Sequence, residues 1–164
     1  MSIPRRIEPA AGQESAWDYP RPPRLEPLDG RVQVWLNGTL IADTTSALRI
    51  LETYHPPTVY LPPDDVYTRS LRPLAGTTYC EWKGSASYFD VEVGPLRVER
   101  AAWAYFDPTH PYEALAGHIS FYPALVDCSV GGEKVTPQPG TFYGGWVTSK
   151  VTGPFKGSAG MDGW

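Results

Sequence analysis

Apolar and polar positions alternate with a period of two along several short runs of the chain, and that period predicts strands, not helices. In "RVQVWLNGTLIADT", Val32, Val34 and Leu36 alternate with Arg31, Gln33 and Trp35, and Leu40 to Asp43 runs back in the other direction. Between the two runs, Asn37-Gly38 supplies the two positive-φ positions of a two-residue hairpin turn. In Ser85 to Val93, Tyr88, Asp90 and Glu92 alternate with Phe89, Val91 and Val93, so one face is expected buried and the other polar. Thr77 to Trp82 precedes this run, and the two form a second expected hairpin about Lys83-Gly84. Arg97 to Tyr105 continues the pattern, with Val98 on an inner face and Trp103 and Tyr105 further along.

Shorter strands are expected at Val59 to Leu61, bracketed by proline pairs, at Ser120 to Tyr122, and over Val126 to Val135 with a turn at Gly131-Gly132. Helical signals are few. "TTSALRILE" allows a turn or two, Asp64 and Asp65 follow Pro63 as in a first helical turn ending before Pro73, and "PTHPYEALAGHI" offers Thr109 as N-cap with Pro111 in the first turn. The sum is a mainly β, or α+β, domain of compact antiparallel sheets with one or two short helices. A 164-residue chain buries roughly 70% of its unfolded surface, so residues 1–164 are expected to form one domain. Its ends differ in texture. Residues 1–30 are proline-rich, an extended arm whose Trp17 and Tyr19 dock on the domain or reach a neighbouring subunit in a homo-oligomer. Residues 137–164 form a glycine- and aromatic-rich extension that must dock to be ordered.

Composition narrows the function classes. The formal charge of −4 and pI near 5.3 give no field that attracts phosphate backbones or anionic lipid, so neither nucleic acid nor a membrane is an expected partner. The N-terminus lacks an apolar export core and no run is long and apolar enough to span a bilayer, so a cytoplasmic location is expected. Cys80 and Cys128 lie far apart and form no C-x-x-C pair, and His55, His110 and His118 match no ligand spacing; neither a metal nor a cofactor is expected.

Several residues remain as candidates for chemistry. A reactive Cys80 needs a nearby cation to lower its pKa, and Lys83 is near in sequence; in a continuous strand, however, an odd offset puts them on opposite faces. The same parity puts Cys80 and Trp82 together, pointing inward, and leaves Lys83 free at the turn. Cys80 is thus read as a buried structural thiol, with the nucleophile as the alternative. His55 precedes Pro56-Pro57, a restricted loop that can present a general acid or base rigidly or serve only as loop. His110 is expected at the surface and His118 beside a helix C-terminus. Tyr60, Trp82, Tyr88, Trp103, Tyr105 and Tyr122 are too many for a dry core, because each phenol and indole needs a hydrogen-bond partner; a subset lining a concave site would hold a small organic ligand.

The segments "NGTLIADTTSALRILET", "HPPTVYLPPDDV", "TTYCEWKGSASYFDV", "AAWAYFDPT" and "HISFYPALVD", followed by "YGGWVT" and "GPFKG", together resemble the bacterial and fungal domain-of-unknown-function family 427 over most of residues 30–156. The resemblance implies a fold similar to the β-tent of Mss4-like proteins, without the four-cysteine zinc site that fold often carries. By motif position the family's characteristic residues fall on His55, Tyr60, Asp65, Cys80, Trp82, Lys83, Tyr88, Trp103, Tyr105 and Tyr122. No activity transfers with them.

The favoured expectation is a module binding a small polar or anionic molecule in an aromatic pocket formed by Lys83, His55, Tyr60, Trp82, Tyr88, Trp103 and Tyr105. One alternative is an enzyme of hydrolase or transferase type using Cys80 or His55 with Lys83 and Tyr88. The other is an interaction or oligomerisation module.

Overall fold

The computed structural model describes residues 3–140 and 142–161. Residues 1–2 of the expected N-terminal arm, and 141 and 162–164 of the expected C-terminal extension, lie outside the described residues. The chain is mainly β, as the alternation predicts. One four-stranded antiparallel sheet runs Ile119–Phe121, Leu96–Ala104, Gly84–Val93, Leu71–Cys80 in spatial order; a second runs Glu133–Lys134, Asp127–Val130, Val32–Leu36, Thr39–Thr44. A three-stranded sheet orders Arg24–Pro27, Leu48–Leu51, Thr58–Tyr60.

The first hairpin forms where the alternation placed it, with Asn37 at φ 50° and Gly38 at φ 77°, the left-handed pair that a two-residue turn between twisted strands demands. Val32, Val34 and Leu36 are buried while Gln33 and Trp35 are only half-buried. In the Leu96–Ala104 strand, alternation serves two interiors. Ala102 and Ala104 join the main core with Val34, Leu61, Val91 and Phe121, whereas Trp103, with Tyr105 just beyond the strand, enters a second cluster with Ile50, Tyr60, Tyr112 and Leu115. The sheet is therefore a partition, apolar on one side and aromatic on the other.

Both arms lie on this framework. Glu14–Ser15 pairs in parallel with Val151–Thr152, Ala16, Tyr19, Leu51, Val151 and Phe155 form a third buried cluster, and the Trp17 indole donates to the Pro154 carbonyl at 2.8 Å. Arg49 ties the arm down by bonding Glu14 at 2.9 Å and Glu26 at 2.6 Å. Trp17 and Tyr19 thus dock within the chain.

Several expectations need correction. "TTSALRILE" yields the strand Leu48–Leu51, because it is paired on both edges and buried on both faces, with Ile50 in the second cluster and Leu51 in the third; a strand covered on both sides loses its alternation. The residues after Pro63 form two single 3-10 turns, Pro63–Asp65 and Thr68–Ser70, and Pro73 lies inside the Leu71–Cys80 strand. His110–Leu115 is a kinked 3-10 segment with Tyr112 at φ −115°, ψ 19°. Thr109 makes no side-chain cap there; its hydroxyl is bonded elsewhere, as described below. The second hairpin's first strand ends at Cys80, so Glu81, Trp82 and Lys83 are turn residues. Strand parity does not extend to them.

Candidate functional site

An aromatic cavity of about 730 Å³ opens on the second cluster's side of the partition sheet. Lys83, His55, Tyr60, Tyr88, Trp103 and Tyr105 all line it, together with Cys80. Trp82 does not; it packs against the second cluster behind the wall. Because the turn begins at Glu81, Lys83 and Cys80 face one cavity, not opposite sides of a sheet.

The Lys83 turn is fixed from outside by Thr109, whose backbone N–H donates to the Lys83 carbonyl at 3.0 Å and whose hydroxyl donates to the Trp82 carbonyl at 2.5 Å. Gly84, at φ +103°, lets that backbone lie against the 107–109 segment, where a Cβ would sit 3.5 Å from the Asp107 carbonyl oxygen. The Lys83 ammonium stands 5.7 Å from the Tyr105 ring centroid. Arg100 arrives by a β-bulge. The register passes from Phe89↔Ala102 to Val91↔Val98, so Arg100, at φ 52°, is extra to the ladder and re-aimed by it. Buried Asp90 holds this conformation, accepting the Arg100 backbone N–H at 2.8 Å and the Arg97 guanidinium at 2.7 Å; the Arg100 N–H, with Arg97, keeps its carboxyl below the usual range. The Arg100 guanidinium then lies 4.0 Å from the Tyr88 ring centroid. Lys156 supplies a third cation, 5.7 Å from the Tyr143 ring. Each of these cations contacts a tyrosine face, and none is paired with a carboxylate among the described residues.

His55 belongs to a network that closes the wall. Gln138, 3% exposed, accepts the Gly145 N–H through Oε1 at 3.2 Å and donates through Nε2 to the Lys156 carbonyl at 2.9 Å. Those two partners set the amide's orientation, so Nε2 donates to His55 Nδ1 at 3.1 Å, and the neutral ring carries its proton on Nε2, 3.5 Å from Glu52. Burial holds the His55 pKa below its ordinary value against the opposing charge of Glu52. Glu99 is the other carboxylate on the cavity lining. On the floor, the Trp103 indole donates to the Tyr60 hydroxyl at 3.3 Å. Burial raises the phenols of Tyr60 and Tyr105, and that of Tyr122 to about 12, so all three stay protonated.

Outside the cavity, His110 is exposed and 3.9 Å from Glu113. His118 is half-buried with Nδ1 unpartnered. Asp65 accepts the Thr44 hydroxyl at 2.7 Å. Arg100, Gln138, Tyr143 and Lys156 line the site without having been singled out in the sequence; "YGGWVT" and "GPFKG" contain two of them, and "VERAAW" carries no local sign of a bulge. Among the described residues no group of three or more His, Cys, Asp or Glu could hold a metal ion, and no helix is long and apolar enough to cross a membrane. The arrangement can neutralise and desolvate an anion against aromatic walls. A family model described as a domain of unknown function (DUF427) matches residues 24–132. No curated protein matches the chain.

Proposed function

For a chain that belongs to the domain-of-unknown-function family DUF427, we propose a binding role in which the cavity holds a small anionic organic molecule. The observation that carries this reading is the convergence of Lys83, Arg100 and Lys156 on one aromatic cavity, each over a tyrosine ring and none paired with a carboxylate among the described residues. A partly buried cation gains modestly from a ring face and more from an anion that arrives with it into low dielectric. The volume of about 730 Å³ suits a metabolite-sized ligand, for which pockets run from roughly 300 to 1,000 Å³.

Native mass spectrometry of freshly purified protein, with thermal denaturation before and after ligand removal, tests the reading. A bound small molecule is expected, and Lys83→Ala should abolish its retention while leaving the urea midpoint unchanged. Retention by Lys83→Ala equal to wild type would sink the idea. Enzymatic use of the site has one observation in its favour, the shared cavity of Cys80 and Lys83. His55 is a poor base in that scheme, because Gln138 occupies Nδ1 and Glu52 faces Nε2.

A further inference from the structure

Two buried phenols in the cavity carry protons that no group among the described residues takes up. Tyr60 is 1% exposed and Tyr105 6% exposed. The Tyr60 oxygen accepts the Trp103 indole N–H at 3.3 Å. Since an indole only donates, the O–H proton of Tyr60 is not used in that bond, and the hydroxyl has no other partner among the described residues. The Tyr105 hydroxyl has no hydrogen-bond partner among the described residues, although its ring is packed against Tyr60 at 6.3 Å between centroids. Above that ring, the Lys83 ammonium brings further donors, with no acceptor among the described residues. The Cys80 thiol, a weak acceptor, and the hydroxyls of Tyr88 and Tyr122 share the cavity lining, and the Tyr88 hydroxyl is already bonded to Thr78 at 2.7 Å. The Tyr60 and Tyr105 O–H groups and the Lys83 ammonium are thus donors open to whatever occupies the cavity.

We infer that Tyr60, Tyr105 and Lys83 form the seat of an oxyanion, a carboxylate or a phosphate, that accepts both phenolic O–H groups and the ammonium. The inference rests on the binding role proposed above and specifies which end of the ligand enters and what chemistry it carries. An oxyanion accepts from both phenols and neutralises the ammonium in charge-assisted bonds, which neither water nor an uncharged amide does. The remaining aromatic walls, Trp103 with Tyr122 at 4.4 Å between centroids, take the apolar body of the ligand.

The test titrates the full chain calorimetrically with benzoate, phenyl phosphate and, as the uncharged counterpart, benzamide. Tyr105→Phe removes one O–H and keeps the ring; Tyr60→Phe does the same but also deprives Trp103 of its acceptor, so its urea midpoint is measured alongside. Benzoate, phenyl phosphate or both should bind, benzamide at least about tenfold more weakly, and Tyr105→Phe should weaken the anion on the order of tenfold, as loss of a hydrogen bond to a charged group does. Binding of one anion alone identifies the source as carboxylate or phosphate. The seat is overturned if benzamide binds as well as the anions, if Tyr105→Phe binds them like wild type, or if neither anion binds. Each of those results leaves the cavity's binding role standing; that role falls only on the separate outcome that Lys83→Ala retains the co-purified molecule unchanged.

Discussion

Replacing Gln138 by leucine keeps the side chain's size and removes its polarity, so it isolates what the buried amide contributes. Three side-chain hydrogen bonds vanish, from Nε2 to the Lys156 carbonyl at 2.9 Å, from Nε2 to His55 at 3.1 Å, and from the Gly145 N–H to Oε1 at 3.2 Å. A hydrogen bond in a protein contributes about 1 kcal/mol net, and a partner left buried and unpaired costs about 1–3 kcal/mol. His55 and Lys156 border the cavity, where water can replace the lost partner, so the lower figure applies and the three together come to about 3 kcal/mol. Against a total stability of about 5–15 kcal/mol, that is a large fraction. With a urea dependence of about 2 kcal/mol per M, the midpoint should fall by about 1.5 M. Equilibrium urea unfolding at pH 7.5, followed by tryptophan fluorescence, measures it. A midpoint within about 0.25 M of wild type with the slope unchanged would refute the view that Gln138 fastens the cavity wall.

Thr109→Val keeps the backbone bond to Lys83 and deletes the hydroxyl bond to Trp82, so it should cost about 1 kcal/mol in urea unfolding and weaken retention of the bound molecule by displacing Lys83; full retention speaks against the turn being set by Thr109. Burial holds His55 and His118 below the ordinary histidine value of about 6.5. Below that pH the unfolded chain takes up protons that the folded chain refuses, so stability is full above about pH 6.5 and declines as pH falls through the folded values. Urea midpoints at pH 7.5 and 5.5 check the sign, and a rise on acidification contradicts it. Iodoacetamide near neutral pH should label Cys80, which lines the cavity, and spare Cys128, which is 2% exposed with its thiol pushed well up by burial. If mass spectrometry finds Cys80 inert until the protein is denatured, a thiol nucleophile has no place in the site.

What the sequence discloses follows the range of the forces involved. Asn37-Gly38 fixes a hairpin through the dihedral preferences of two adjacent residues, and the alternation of Val32, Val34 and Leu36 reflects one covered face; both are local and both are legible. Leu48–Leu51 is a strand only because neighbours distant in sequence pair with its two edges, so its apolar run reads equally well as a helix. The parity that separated Cys80 from Lys83 was sound for a strand and failed one residue past its end. Tyr60, Tyr88, Trp103 and Tyr105 were legible as candidates because large aromatics with polar tips are conspicuous, His55 because it precedes Pro56-Pro57, and Lys83 because it sits at a turn beside a glycine. Gln138 was not, since its worth lies in three partners spread from His55 to Lys156, and Arg100 was not, since only the buried carboxylate of Asp90 makes its left-handed backbone tenable.

The parallel pairing of Glu14 with Val151 has a consequence in time. Protein synthesis delivers the N-terminal strand first, yet its partner strand is made only after the partition sheet is complete. Gln138, Tyr143 and Lys156 come late with it. On a ribosome the sheets can therefore assemble around an open trough, and the trough becomes a cavity only when the last stretch of chain threads back along the first. A molecule seated inside would add RT ln(1 + [L]/Kd) to that final closure, so the occupant would act as a latch on both ends of the chain.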